Sequence, residues 1–210
     1  MVFDFLKRAP QVSAAPATEV KASAAGRVVA FGTSGRVAWS ARDVVSLSKT
    51  GFLGNPMGFR AVKLISEAAA ALPLVLQDQG CRYESHPILD LIRRPNQVQG
   101  RAELFEAIYG HLLLSGNAYV EAVPGGGKLP RELHVLRSDR MSVVPGADGW
   151  PAAYDYTVGG RKHRFAMGEG QQPICHLKTF HPQDDHYGFS PLQAAAVAID
   201  VHSSASAWSK

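Results

Sequence analysis

The stretch NAYVEAVPGGGKLPRELHVL, residues 117–136, sets three glycines and a lysine between two apolar runs. A phosphate-binding loop follows G-x-x-x-x-G-K-[ST] and opens a helix, so that backbone N–H groups, the lysine and a hydroxyl share the phosphates and their magnesium. Here Ala122 stands at the first glycine position and Leu129 where the hydroxyl belongs. Pro130 follows, and then the strand-like Leu133, His134, Val135 and Leu136. The flanks read strand–turn–strand, with the glycines supplying the positive φ of a tight turn. The middle of the chain is therefore read as antiparallel sheet, with no nucleotide loop.

Outward from this hairpin, strand patterns fall at 117–123, 132–137, 141–144, 153–158, 161–166 and 173–177, separated by glycine turns at 125–127, 146–149 and 159–160. Upstream the pattern is helical. Asn55 and Pro56 form a cap followed by proline at the first helical position. Met57, Ala61, Leu64, Ile65, Ala68 and Leu72 then recur at helical spacing until Pro73. A short hairpin around Gln79 and Gly80 precedes a second helix, capped at Ser85 or His86 and stopped before Pro95 and Asn96. A third helix over 101–114 carries Leu104, Phe105, Ile108 and Leu112 on one face and ends at Gly116, where a left-handed residue belongs. Ser190 and Pro191 repeat the cap-plus-proline start and open a last helix toward Lys210, with Leu192, Ala196, Ile199 and Ala205 in phase. Residues 27–50 are weakly patterned, with room for one or two short strands.

The whole reads as α+β: three helices, an antiparallel β-rich middle and a C-terminal helix. Residues 9–26 are Ala, Pro, Ser and Thr with almost no large apolar side chain. They cannot bury enough surface to offset their ordering entropy, so 1–26 is read as a flexible arm. The net charge of +4 belongs to the first fifty residues, which carry seven Lys/Arg against three Asp/Glu; residues 51–210 carry fifteen of each. A domain that grips nucleic acid through phosphates shows a basic excess, and the composition of the folded part does not demand one. Cys81 and Cys175 lie far apart with no CxxC spacing, which fits a reducing setting rather than a disulfide framework or zinc knuckle. The longest apolar run, broken by Pro73, is too short to span a bilayer.

Candidate chemistry concentrates in HPQDDHYGFSPL, residues 181–192. His181, Asp184, Asp185 and His186 are ligand types for a divalent metal, but neither HExxH spacing nor a second cysteine accompanies them. A solvated turn is the simpler reading. Gly188, Phe189 and Ser190 start a G-x-S-x-G elbow that Leu192 fails to close, which leaves Ser190 as a helix cap. Ser115 and Asn117 beside Gly116 read as structural, and His111 as a core or boundary residue. No catalytic residue, metal ligand or cofactor site is assigned.

Four blocks, NPMGFRAVKLISEAAAALPLVL, HPILDLIRRPN, LLLSGNAYVE and YGFSPLQAAAVAI, taken in order, resemble the portal proteins of tailed bacteriophages, most closely those of alphaproteobacterial gene transfer agents and related long-tailed phages. The residues carrying the resemblance are Asn55, Pro56, Pro95, Asn96, Gly116, Asn117, Tyr119, Gly188, Ser190 and Pro191. The resemblance implies a non-enzymatic homo-oligomeric ring, usually of twelve subunits, at one capsid vertex. The ring passes double-stranded DNA without sequence specificity. It contacts the major capsid protein, docks the large terminase subunit, and later holds head-completion or adaptor proteins. It implies assembly in the bacterial host cytoplasm, residence in the virion, no cofactor and no membrane. It further divides the chain into the arm at 1–26, a wing-like domain over 27–190, and the start at 191–210 of a long helix toward a stem, with stem, clip and crown expected beyond residue 210. DNA-contacting residues are left unassigned. The rival readings are a small metal-dependent hydrolase built on the 181–186 loop and an interaction module left by a decayed prophage.

Overall fold

The computed structural model describes residues 43–127, 129–168 and 172–209. The expected arm and the segment 27–42 lie outside the described residues. The chain is α+β, with helices before and after two antiparallel sheets. Asp43 caps α1 (Val44–Ser46) by accepting the Ser46 N–H, and the chain continues as a π-helical stretch, Leu47–Leu53. Helix α2 (Pro56–Ala71) ends at Leu72, whose extended backbone is what a following proline imposes. The hairpin of β1 (Leu76–Asp78) and β2 (Cys81–Tyr83) turns at Gln79 and Gly80, both at positive φ. Helices α3 (Pro87–Arg93) and α4 (Arg101–Ser115) follow.

Strands β3 (Asn117–Val123), β4 (Glu132–Leu136) and β8 (Ile174–Lys178) form one sheet in the order β4-β3-β8. The opening stretch is thus the β3–β4 hairpin, in register from Tyr119 opposite Leu136 to Val123 opposite Glu132. Strands β5 (Met141–Pro145), β6 (Pro151–Val158) and β7 (Arg161–Ala166) form the second sheet in chain order. Helices α5 (Pro191–Ala194) and α6 (Ala196–Trp208) close the described chain.

The alternation of β3 builds the layers. Ala118 and Val120 pack with Leu104 and Ile108 of α4 on one face. Tyr119 points the other way, into a core of Met141, Val143, Tyr154, Phe165, Ile174 and Tyr187 between the two sheets. Helix α2 lies on α4, and Lys63 bridges to Glu106 on α4 while pairing with Glu67 on its own helix at 3.2 Å. The order is α2, α4, sheet, sheet. A separate cluster of Leu47, Val62, Leu192 and Ala196 joins the first and last described helices.

Two expectations are corrected, and the buried face of α2 is a further finding. Residues 44–50 are helical, not strand: the Asp43 cap decides it, a signal the weak hydrophobic pattern concealed. The last helix is broken at Ala195, whose N–H is shared between Pro191 O and Gln193 O, a tightened turn that ends α5 before α6 begins. On α2, the buried residues are Gly58, Val62, Ser66 and Ala70, whereas Met57, Leu64, Ile65 and Leu72 are exposed. The larger side chains mark the uncovered face, and Gly58 lets the π-helical stretch approach, since a Cβ there would lie 2.0 Å from Gly51 O.

Candidate functional site: a junction of motifs

Two of the sequence blocks meet backbone to backbone. Helix α4 stops at Gly116, in the left-handed region at φ 74°. Its carbonyl accepts the Thr179 N–H at 2.9 Å, and the Thr179 hydroxyl donates to Phe189 O at 2.6 Å. A Cβ on Gly116 would lie 2.5 Å from the Gly188 carbonyl carbon, and one on Gly188 only 2.0 Å from Gly116 O. Neither position has room for a side chain, so the glycines of SGNAY and YGFSP are each required by the other.

Asn117 locks the contact. Its Oδ1 accepts the Gly188 N–H at 2.8 Å, and its Nδ2 donates to Ser115 O at 2.7 Å. His176 of β8 faces the same Oδ1 through Nε2 at 3.0 Å. Because that oxygen can only accept, Nε2 carries the proton, which leaves Nδ1 to accept from the Tyr154 hydroxyl at 3.4 Å. The His176 ring stacks on Tyr119, its register partner, at 4.2 Å between centroids. Tyr119 is fully buried, and its hydroxyl has no hydrogen-bond partner among the described residues. Burial pushes the phenol pKa far up and keeps it neutral.

Ser190 closes the other side. Its hydroxyl donates to Leu113 O at 2.8 Å and accepts the Gln193 N–H at 3.2 Å, ahead of Pro191 at the first helical position. It is buried and committed as both donor and acceptor, a cap rather than a nucleophile.

The remaining motif residues repeat the device. Asn55 accepts the N–H groups of Met57 and Gly58, both at 3.0 Å, and donates across to Ser203 Oγ at 2.9 Å and Ile199 O at 3.3 Å on α6, beside Pro56 at the helix start. Asn96 accepts from Val98 and Gln99 and donates to Leu133 O at 2.9 Å, while the buried Pro95 accepts the Leu133 N–H at 2.7 Å. Three buried asparagines thus each cap a local turn and bridge to a distant element. The structure brings Gly116, Asn117, Tyr119, Gly188, Ser190 and Pro191 together; Asn55 with Pro56, and Pro95 with Asn96, form two further joints.

The 181–186 loop is spent on its own backbone. His181 Nδ1 accepts the Gln183 N–H at 3.1 Å, and Asp184 accepts those of His186 and Tyr187, both at 2.8 Å. Lys178 donates to Asp185 O. Among the described residues, no three His, Cys, Asp or Glu side chains converge as a metal would require. The contacts do not favour the hydrolase reading.

Sequence reasoning missed His176 and Thr179 as members of the junction. The signal lay in the pairing of β8 with β3, which sets His176 opposite Tyr119. It also missed Asp155, fully shielded on β6, which takes Arg164 of β7 in a two-pronged pair at 2.7 and 2.9 Å and Lys162 at 3.2 Å. These charges hold the Asp155 carboxyl below its usual pKa.

Comparison with known proteins gives this architecture a family. The model of the phage portal protein family matches residues 56–210, a span that opens at Pro56 and holds the Gly116–Gly188 junction and the Asn96 joint. The chain belongs to the phage portal protein family. Among solved structures, it is similar to a chain in the neck of an empty gene transfer agent particle computed with C6 symmetry. That chain is 70% identical with a TM-score of 0.78, over 82% of this chain and 46% of the other. It is similar to a chain in the virion of a native gene transfer agent particle at 67% identity and TM-score 0.72, over 82% and 45%. A chain in the native neck computed with C12 symmetry gives 66% and 0.72, over 81% and 45%. Two uncharacterized relatives, from Rickettsia bellii (strain RML369-C) and Rickettsia felis (strain ATCC VR-1525 / URRWXCal2), are each 29% identical over 157 residues. The match covers 73% of this chain and 40% of theirs. The chain spans less than half the length of these relatives. In this chain the Gly116–Gly188 junction holds α4, β3, β8 and α5 in one body.

Proposed function

We propose that this polypeptide is the portal of a gene transfer agent or related tailed-phage particle and that its described part is the ring's wing. The observation that carries the reading is 66–70% identity with the same fold in neck chains computed about a cyclic axis. Residues 27–190 are the wing, residues 191–210 the run toward a stem, and residues 1–26 an arm. The ring, of twelve subunits, sits at one capsid vertex in the virion after assembly in the host cytoplasm. It passes double-stranded DNA without reading its sequence, contacts the major capsid protein, and docks first the large terminase subunit and then adaptor proteins. Its role is architectural: the Ser190 and Thr179 hydroxyls, the His176 imidazole and the Asn117 amide of the junction are engaged in hydrogen bonds that hold the fold, and the family's role is structural.

Native mass spectrometry of the polypeptide as its own gene encodes it tests this. The expected result is one closed species at twelve times the protomer mass. A protein that stays monomeric or dimeric at all concentrations would refute the portal reading.

A further inference from the structure

The outermost layer is the anomaly. Helix α2 buries Gly58, Val62, Ser66 and Ala70 toward its neighbours, as an outer helix should. Its opposite face is also apolar: Met57, Ala61, Leu64, Ala68 and Leu72 run along it, with Met57 65%, Leu64 53% and Leu72 62% exposed. An outer helix normally turns a polar face to solvent, and here an apolar stripe lies on the uncovered face. The stripe follows a spacing of four, three, four and four, and alternates large side chains with alanines, the arrangement of knobs and holes in helix packing. It carries no charge. Lys63 and Glu67 are paired with each other, and Lys63 also with Glu106 of α4. Arg60 and Glu67 lie at the edge of the stripe, beside Leu64. Such a face does not suit DNA or an acidic surface.

Helix α6 carries a second stripe. Among the described residues, Val197, Val201, Ala205 and Trp208 are left uncovered at helical spacing, Trp208 at 89%. Ile199 and Ser203, which meet Asn55 at the start of α2, lie on the opposite side of α6. The α6 stripe therefore faces away from α2, and the two stripes form separate patches. An isologous contact of α2 with α2 would close a dimer, whereas a cyclic ring needs two different patches on each subunit that mate head to tail.

We propose that the exposed stripe of α2 in one copy packs on the Val197–Val201–Trp208 stripe of α6 in the next copy around the ring. This inference rests on the portal reading and names its mating surfaces. The two faces match in chemistry and helical repeat, and cyclic symmetry in the neck structures of similar chains supplies the head-to-tail arrangement.

The test places the photo-crosslinker p-benzoylphenylalanine at position 64 of the full polypeptide and assembles rings from an equal mixture of isotopically light and heavy protein. The expected product is a light–heavy crosslink mapping to residues 197–208. Crosslinks within one copy, to another surface or to no second copy, in rings that do form, overturn the inference and leave the portal reading standing. Leu64→Glu is expected to keep the wild-type melting temperature and circular dichroism while losing at least tenfold in ring yield; rings at wild-type yield would count equally against it. If wild-type protein forms no ring at all, the portal reading falls, and the inference falls with it.

Discussion

At the scale of the residue, the junction is a set of mutual exclusions. Gly116 and Gly188 leave no room for each other's side chains. Gly188→Ala should therefore cost several kcal/mol or yield insoluble protein, since its Cβ would strike backbone that cannot move without breaking the Thr179 bond. Urea denaturation of the purified variant measures it. Asn117 satisfies groups from α4, β8 and the 188 turn at once, and Asn117→Ala should cost about 2–4 kcal/mol by orphaning them. Tyr119 makes the opposite case. Its buried hydroxyl has no partner among the described residues, so Tyr119→Phe should be neutral or stabilising by about 1 kcal/mol. A loss above that on thermal melting would show that the hydroxyl is engaged.

At the scale of the element, the helix starts were legible because caps are local chemistry. Asn55 with Pro56 and Ser190 with Pro191 announce a helix whatever lies around them. The α2 face was not, because periodicity finds a stripe without saying which side of the helix is covered, and here both sides are apolar. The break at Ala195 and the helix after Asp43 were also hidden, since each turns on a single hydrogen-bonded turn. The Asp155 pairing depended on a hairpin register that the glycines at 159 and 160 make possible, which sets Arg164 directly opposite Asp155. Its carboxyl pKa is lowered by Arg164 and then Lys162. A depressed carboxylate adds stability above its unfolded pKa of about 3.9 and loses it as pH falls through the lower folded value. Asp155→Asn should thus cost about 1–3 kcal/mol at pH 7. The gap should shrink progressively below about pH 4. Parallel melts of the two proteins from pH 7 to pH 2 read this directly; a constant gap would mean the charge is not what Asp155 contributes.

At the scale of the whole molecule, the sequence blocks mattered because they are joints. Residues 55, 96, 117 and 190 are far apart in the chain, yet each ties one element to a distant one. What no single-chain pattern could reveal is which outer faces remain for other copies, since coverage by a neighbour leaves no trace in local periodicity. Because the basic excess lies in residues 1–50, we predict that any affinity for DNA comes from Lys7, Arg8, Lys21 and their neighbours. Binding should be independent of sequence and fall steeply between low and physiological salt; salt-resistant, sequence-selective binding in a filter assay would contradict it. The most direct test of the account is a cryo-electron microscopy reconstruction, without imposed symmetry, of the ring formed by the polypeptide as expressed. Repeated copies of the α2–α4–sheet–sheet body about one axis are expected, with Gly116 against Gly188 in every copy. A well-resolved particle in which this body occurs once, or lies outside any cyclic arrangement, would contradict it.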